Sequence, residues 1–152
     1  MAYTSEEARA QLLGDIAEAI DRLGLGLASV SEAYDALDEQ HAEALEQHLF
    51  RPIQGAYGRL RRTNQEFAAR FGQPERPFSP PSSGPHSSDP RVYIERAIDA
   101  AERADQQLAE LQDSLLPVEV GDAELRAGLT ETRELISRIP ARGRELLRTV
   151  GR

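Results

Sequence analysis

Residues 13–48 read LGDIAEAIDRLGLGLASVSEAYDALDEQHAEALEQH, and the placing of apolar residues in this stretch decides the architecture. Leu13, Ile16, Ile20, Leu23, Leu27, Val30, Tyr34, Leu37, His41, Ala44 and His48 recur at alternating spacings of three and four. That rhythm puts all of them on one seam of a helix. Only the two histidines are neither apolar nor aromatic, so the seam must be covered, and the rest of the chain reads as its cover.

Thr4-Ser5-Glu6-Glu7 fits a capping box at the start of this helix. The periodicity then predicts one helix over residues 5–49, roughly 70 Å long at about 1.5 Å per residue. Gly24-Leu25-Gly26 is its weak point, because an interior glycine costs about 1 kcal/mol relative to alanine. The seam keeps phase across it, which favours a kinked but continuous helix or a close approach by a neighbour. A reversal there would instead give a compact five-helix domain.

Phe50-Arg51 is expected to turn, with Pro52 in the first turn of a second helix over 52–71. Ile53, Tyr57, Leu60, Asn64, Phe67 and Phe71 carry its apolar side, and Gly72 closes it. Residues 72–89 are rich in proline and serine and read as an extended crossover, long enough to span a helix. Pro74, Pro77 and Pro80 form PxxP spacings beside Arg76, although a plain connection explains them as well. Asp89-Pro90 opens a third helix over 90–116, with Ile94, Ala97, Ala101, Ala104, Leu108, Leu111 and Leu115 on one side. Gly121-Asp122 opens a fourth over 122–150, bent at Pro140, with Leu125, Leu129, Thr132, Ile136, Ile139, Leu146 and Val150 in register.

Charge follows the same division. Residues 1–50 carry net −9, residues 51–88 net +4, residues 89–122 net −6 and residues 123–152 net +3. Each hairpin therefore joins a negative helix to a positive one, which selects partners more than it adds stability. The reading is an all-α, four-helix-bundle-like domain of two antiparallel hairpins joined by a Pro/Ser crossover. Ferritin-like bundles share this chain order, but their di-iron sites need Glu-x-x-His motifs, and none occurs in the chain.

Composition removes whole classes of chemistry. With no cysteine there is no disulfide, thiolate metal site or cysteine nucleophile. All 18 basic residues are arginine, so no Schiff-base or P-loop lysine exists. The N-terminal residues Met1–Glu6 have neither a basic nor an apolar targeting region, and no apolar run approaches membrane length. A cytoplasmic protein without a membrane segment or cofactor is expected, and no catalytic constellation appears.

The metal-ligating candidates are Asp38, His41 and His48. Seven residues separate the histidines, about 10.5 Å along a straight helix, too far to clamp one ion at bonds of about 2.0–2.1 Å. Asp38 and His41 could share one, with Glu46 or another chain as a further ligand; alternatively the histidines bond across the seam, for example to Asn64. Arg51, Arg59, Arg61, Arg62, Arg70 and Arg76, interleaved with Tyr57 and Phe67, form the one basic cluster. A net charge of −8 opposes nucleic-acid binding. The first helix outreaches its short partner, and a bare seam marks association. The expected function is a non-catalytic interaction or scaffold module, a homodimer or bound to another protein. A metal- or small-ligand-binding bundle is the alternative.

Overall fold

A computed structural model of the chain describes residues 4–78 and 82–150. The helices are α1 (Ser5–Ala36), α2 (Glu39–Leu45), a π turn (Glu46–Phe50), α3 (Arg51–Arg70), α4 (Pro90–Asp113), α5 (Leu116–Glu119), α6 (Ala123–Ser137) and α7 (Ile139–Val150). The all-α reading holds, and among the described residues no strand occurs and no helix is long and apolar enough to cross a membrane. Met1–Tyr3 and Pro80 with Pro81, on which parts of the targeting and PxxP readings fall, lie outside the described residues.

The first reversal is not where periodicity places it. Helix α1 runs straight through Gly24 and Gly26 but stops at Ala36, and Leu37 and Asp38 are extended. Asp38 then caps α2, its Oδ1 accepting from His41 N at 2.9 Å. The turn expected at Phe50-Arg51 is absent, and the chain stays helical from Glu39 to Arg70. Pro52 explains how. A proline in an α-helix lacks the N–H and crowds the carbonyl four residues back. The chain widens by one residue just before it, with Arg51 N–H reaching Glu46 O, a π turn that relieves the crowding without ending the helix.

Gly26 has a packing role. A Cβ there would sit 3.6 Å from Ala100 Cβ and 3.7 Å from Ile53, so α4 and α3 both approach α1 at this level. Together with Asn64 bonding Leu13 O and Arg22 bonding Gln107, this sets antiparallel registers for α1 with α3 and α1 with α4. Helix α1 packs most extensively against α4, which outranks its own hairpin partner. On the far side, Arg59 meets Glu131, Thr63 faces Gly128 and Arg70 meets Asp122, so α3 and α6 are also antiparallel. Leu49 beside Gly143 extends that register and brings Pro52 level with Pro140, where α6 gives way to α7. The regular α-helix of both rods is interrupted at this level, by the π turn before Pro52 and by the α6–α7 break before Pro140.

The result is a ring of four rods: α1, α2–α3, α6–α7 and α4. Leu12, Ile16, Leu23, Leu60, Phe67, Ile94, Leu108 and Leu125 are fully buried in its core. Each such side chain stabilises the fold by about 1.5–3 kcal/mol. Because two rods flank α1, its buried face is wider than the seam and takes in Leu12, Ala19 and Ala33, while Leu13 and Leu27 are half-buried and Tyr34 is half exposed. Leu115 also departs from expectation, leaving the α4 face in a left-handed conformation (φ 70°) that starts the single turn α5.

The crossover lies on the bundle. Gln73 Nε2 donates to Glu6 O near the start of α1 (3.3 Å), and Arg96 on α4 donates to Ser83 O and Pro85 O (2.7 and 2.8 Å). Ser87 N–H meets Tyr93 Oη at 2.8 Å. The chain thus travels from one end of the ring to the other, as its length allows.

The charge pairing is half as expected. In the second hairpin Arg133 meets Asp105 and Arg144 meets Glu102. In the first, no ion pair among the described residues joins α1 to α3; the α3 arginines turn to α6 instead. Asp122 is the centre of that contact, capping Leu125 N at 2.8 Å while taking two bonds from Arg70 at 2.7 and 2.9 Å. The Arg70 guanidinium, helped by the Leu125 N–H, holds the Asp122 carboxyl below its ordinary value against the opposing effect of burial. A carboxyl lowered on folding stabilises above its unfolded pKa of about 3.9 and loses that contribution as pH falls below it. Asp122→Asn should therefore lower stability by about 1 kcal/mol at pH 7 and by less at pH 2. Urea titrations of both proteins at the two pH values check this.

Candidate interaction groove

Of the proposed metal ligands, the structure brings two together. Asp38 Oδ2 lies 2.7 Å from His41 Nδ1, and the same carboxylate caps the His41 amide. Those bonds, the backbone one first, hold the Asp38 carboxyl below its ordinary value. The pair is exposed and closes the α1–α2 turn. His48 does not join it: it lies in the π turn, half-buried, and its Nδ1 is buried without a hydrogen-bond partner. Asn64, the proposed cross-seam partner of the histidines, donates to Leu13 O instead at 3.1 Å. Among the described residues no group of three or more His, Asp or Glu is placed to hold a metal ion.

The basic cluster is largely committed to internal contacts. Arg59 pairs with Glu131 and also bonds Thr63. Arg70 pairs with Asp122 and Glu124, which, with the desolvation of burial opposing, raises its pKa further. Arg61 lies over the rings of Tyr57 and Phe78, 5.4 and 5.6 Å from their centroids, and so holds the crossover to α3. Phe67 is buried. Arg51, Arg62 and Arg76 are left exposed, separated along the rod and crossover.

A different feature stands out where α1 ends. Val30, Ser31, Tyr34 and Asp35 from its last turns face Glu46 and Phe50 from the π turn across a groove of about 290 Å³. The antiparallel reversal at Leu37-Asp38 brings these segments together, and the π turn sets the angle at which Glu46 and Phe50 present themselves. Tyr34 is 50 % exposed, although its seam position predicts burial. Neither Asp35 nor Glu46 forms an ion pair with a described residue. No basic side chain occupies the last turn of α1, so the negative end of its dipole is uncompensated.

The sequence places Tyr34 on the seam and offers Glu46 only as a further metal ligand; it does not join either to Ser31, Asp35 and Phe50 in a groove. The one signal for them was the aromatic residue at a seam position followed at once by Asp35 and, three residues on, by the Asp38 cap. The sequence matches no protein-family model and no curated protein, and no solved structure matches the fold.

Proposed function

We propose that the protein is a non-catalytic interaction module, a helical bundle that docks a partner protein at the Tyr34–Phe50 groove. The half-exposed ring of Tyr34 over that groove carries the reading. A large aromatic side chain left half in solvent beside a concave, partly apolar surface is the composition of a docking point. Among the described residues that line the groove there is no histidine to pair with Ser31. Two kinds of partner fit: a second copy of this chain, or a different protein. The seam itself offers less to a second copy than its length promised, because α4 and α3 cover it. A metal-binding reading has weaker support, since only Asp38 and His41 of its three residues meet.

A photo-crosslinking residue placed at Tyr34, with Arg62 on α3 as an exposed control, tests the proposal in cells. A discrete adduct at position 34 alone is expected. Twice the chain mass identifies a homodimer, and any other defined mass a different partner. No adduct at 34, or the same adducts from 34 and 62, would overturn the reading.

A further inference from the structure

The chemistry of the groove narrows what it can hold. We propose that it receives one cationic side chain, the guanidinium or ammonium group of a basic segment on the partner protein. This rests on the interaction-module reading and specifies its partner.

Among the described residues, Asp35 and Glu46 are the charged ones that line the groove, and neither is neutralised by a described arginine or histidine. Arg51, adjacent to Phe50 in the chain, is not among the lining residues. The carbonyl end of α1 adds negative potential at the same place. Leu37 N–H reaches Tyr34 O at 3.3 Å, and no cation sits in the last turn. An anion entering here meets two carboxylates and the negative end of a dipole. A purely apolar group would strip water from the carboxylates and leave them without partners.

A cation in the groove meets a carboxylate and an aromatic ring on each side, Asp35 with Tyr34 from α1 and Glu46 with Phe50 from the π turn. Size points the same way. The groove, at about 290 Å³, falls just below the 300–1,000 Å³ or so that holds drug-sized ligands, so a single long side chain suits it better than a whole cofactor. The aliphatic stem of an arginine or lysine would lie along Phe50, its charged head toward Asp35 and Glu46. The π turn needs no functional motive, because Pro52 accounts for it; its consequence is that Glu46 and Phe50 share one wall.

The full-length, isotope-labelled protein would be titrated with N-acetyl-arginine methylamide, and in parallel with its neutral citrulline counterpart, while amide resonances are followed. Saturable shifts confined to residues 30–36 and 46–50 are expected, with citrulline at least about tenfold weaker. Asp35→Asn combined with Glu46→Gln should weaken arginine binding about tenfold. Tyr34→Ala should weaken it about two- to fivefold. An unchanged thermal midpoint in these surface variants separates lost binding from lost folding. Equal response to citrulline, or an arginine response that survives the double substitution, would overturn the proposal. A position-34 adduct without an arginine response removes only the cation assignment. An arginine response without any adduct removes the partner-protein reading and leaves a small-amine site.

Discussion

Leu23→Glu is expected to unfold the bundle, whereas Leu27→Glu should leave it folded with a lowered midpoint. Both leucines lie on the same heptad-like seam of α1, four residues apart, and sequence alone does not rank them. Leu23 is fully buried at the centre of the core, while Leu27 is half-buried. Removing the Leu23 side chain forfeits about 2–5 kcal/mol from transfer and cavity terms. Placing a carboxyl there adds a desolvation penalty of several kcal/mol more, and among the described residues no cationic side chain is buried to offset it. The sum is comparable to the whole stability of a domain this size, about 5–15 kcal/mol. At position 27 a glutamate can turn its head toward water and forfeits only part of the burial. Far-ultraviolet circular dichroism during urea unfolding would separate the two. Equal losses would mean that α1 is not flanked as described.

Gly128→Ala is expected to destabilise by about 1–3 kcal/mol, although alanine is the better helix former. A Cβ at Gly128 would lie 2.7 Å from Thr63 Cγ2 and 3.0 Å from Thr63 Cβ, so α6 must move away from α3. Thr63 cannot easily give way. It is β-branched, buried, and its hydroxyl both donates to Arg59 O and accepts from the Arg59 guanidinium. Gly58→Ala on the neighbouring rod meets nothing within 4 Å and should stabilise by about 0.5–1 kcal/mol. The same chemical change thus has opposite signs at two helical glycines. Combining Gly128→Ala with Thr63→Ala should recover most of the loss, and a double-mutant cycle measures the coupling. Additive effects would show that the close approach of α3 and α6 is not what Gly128 serves.

How much of this was legible differs from element to element. The capping signals were direct: Thr4, Asp89 and Asp122 each cap the helix they precede, because a short oxygen-bearing side chain satisfies free amides locally. Unbroken phase from Leu13 to His48 predicts unbroken helix and so misplaces the first reversal, which falls after Ala36. Yet Ala42, Leu45, Leu49, Ile53, Ala56, Leu60 and Phe67, all buried, run in helical phase straight across Phe50-Arg51. That second run was available to the same criterion. What obscured it was Pro52, whose ordinary reading as a helix start is overridden by one widened turn. Asp38, an equally good cap, marked the true reversal, and its pairing with His41 is the part of the proposed metal constellation that the fold assembled.

The linear chain by itself determined that this protein is helical, that helices begin after Thr4, Asp89 and Asp122, and that a long crossover joins two hairpins. Those features depend on neighbours within a few residues, through periodicity, caps and proline. Tertiary structure alone decided that α1 lies chiefly against α4, that the α3 arginines serve α6, and that Asp35 and Glu46 line one groove with Tyr34 and Phe50. Which surfaces meet depends on shape and on where small residues such as Gly26 and Gly128 let backbones approach, and charge balance counted over whole segments is too coarse to express that.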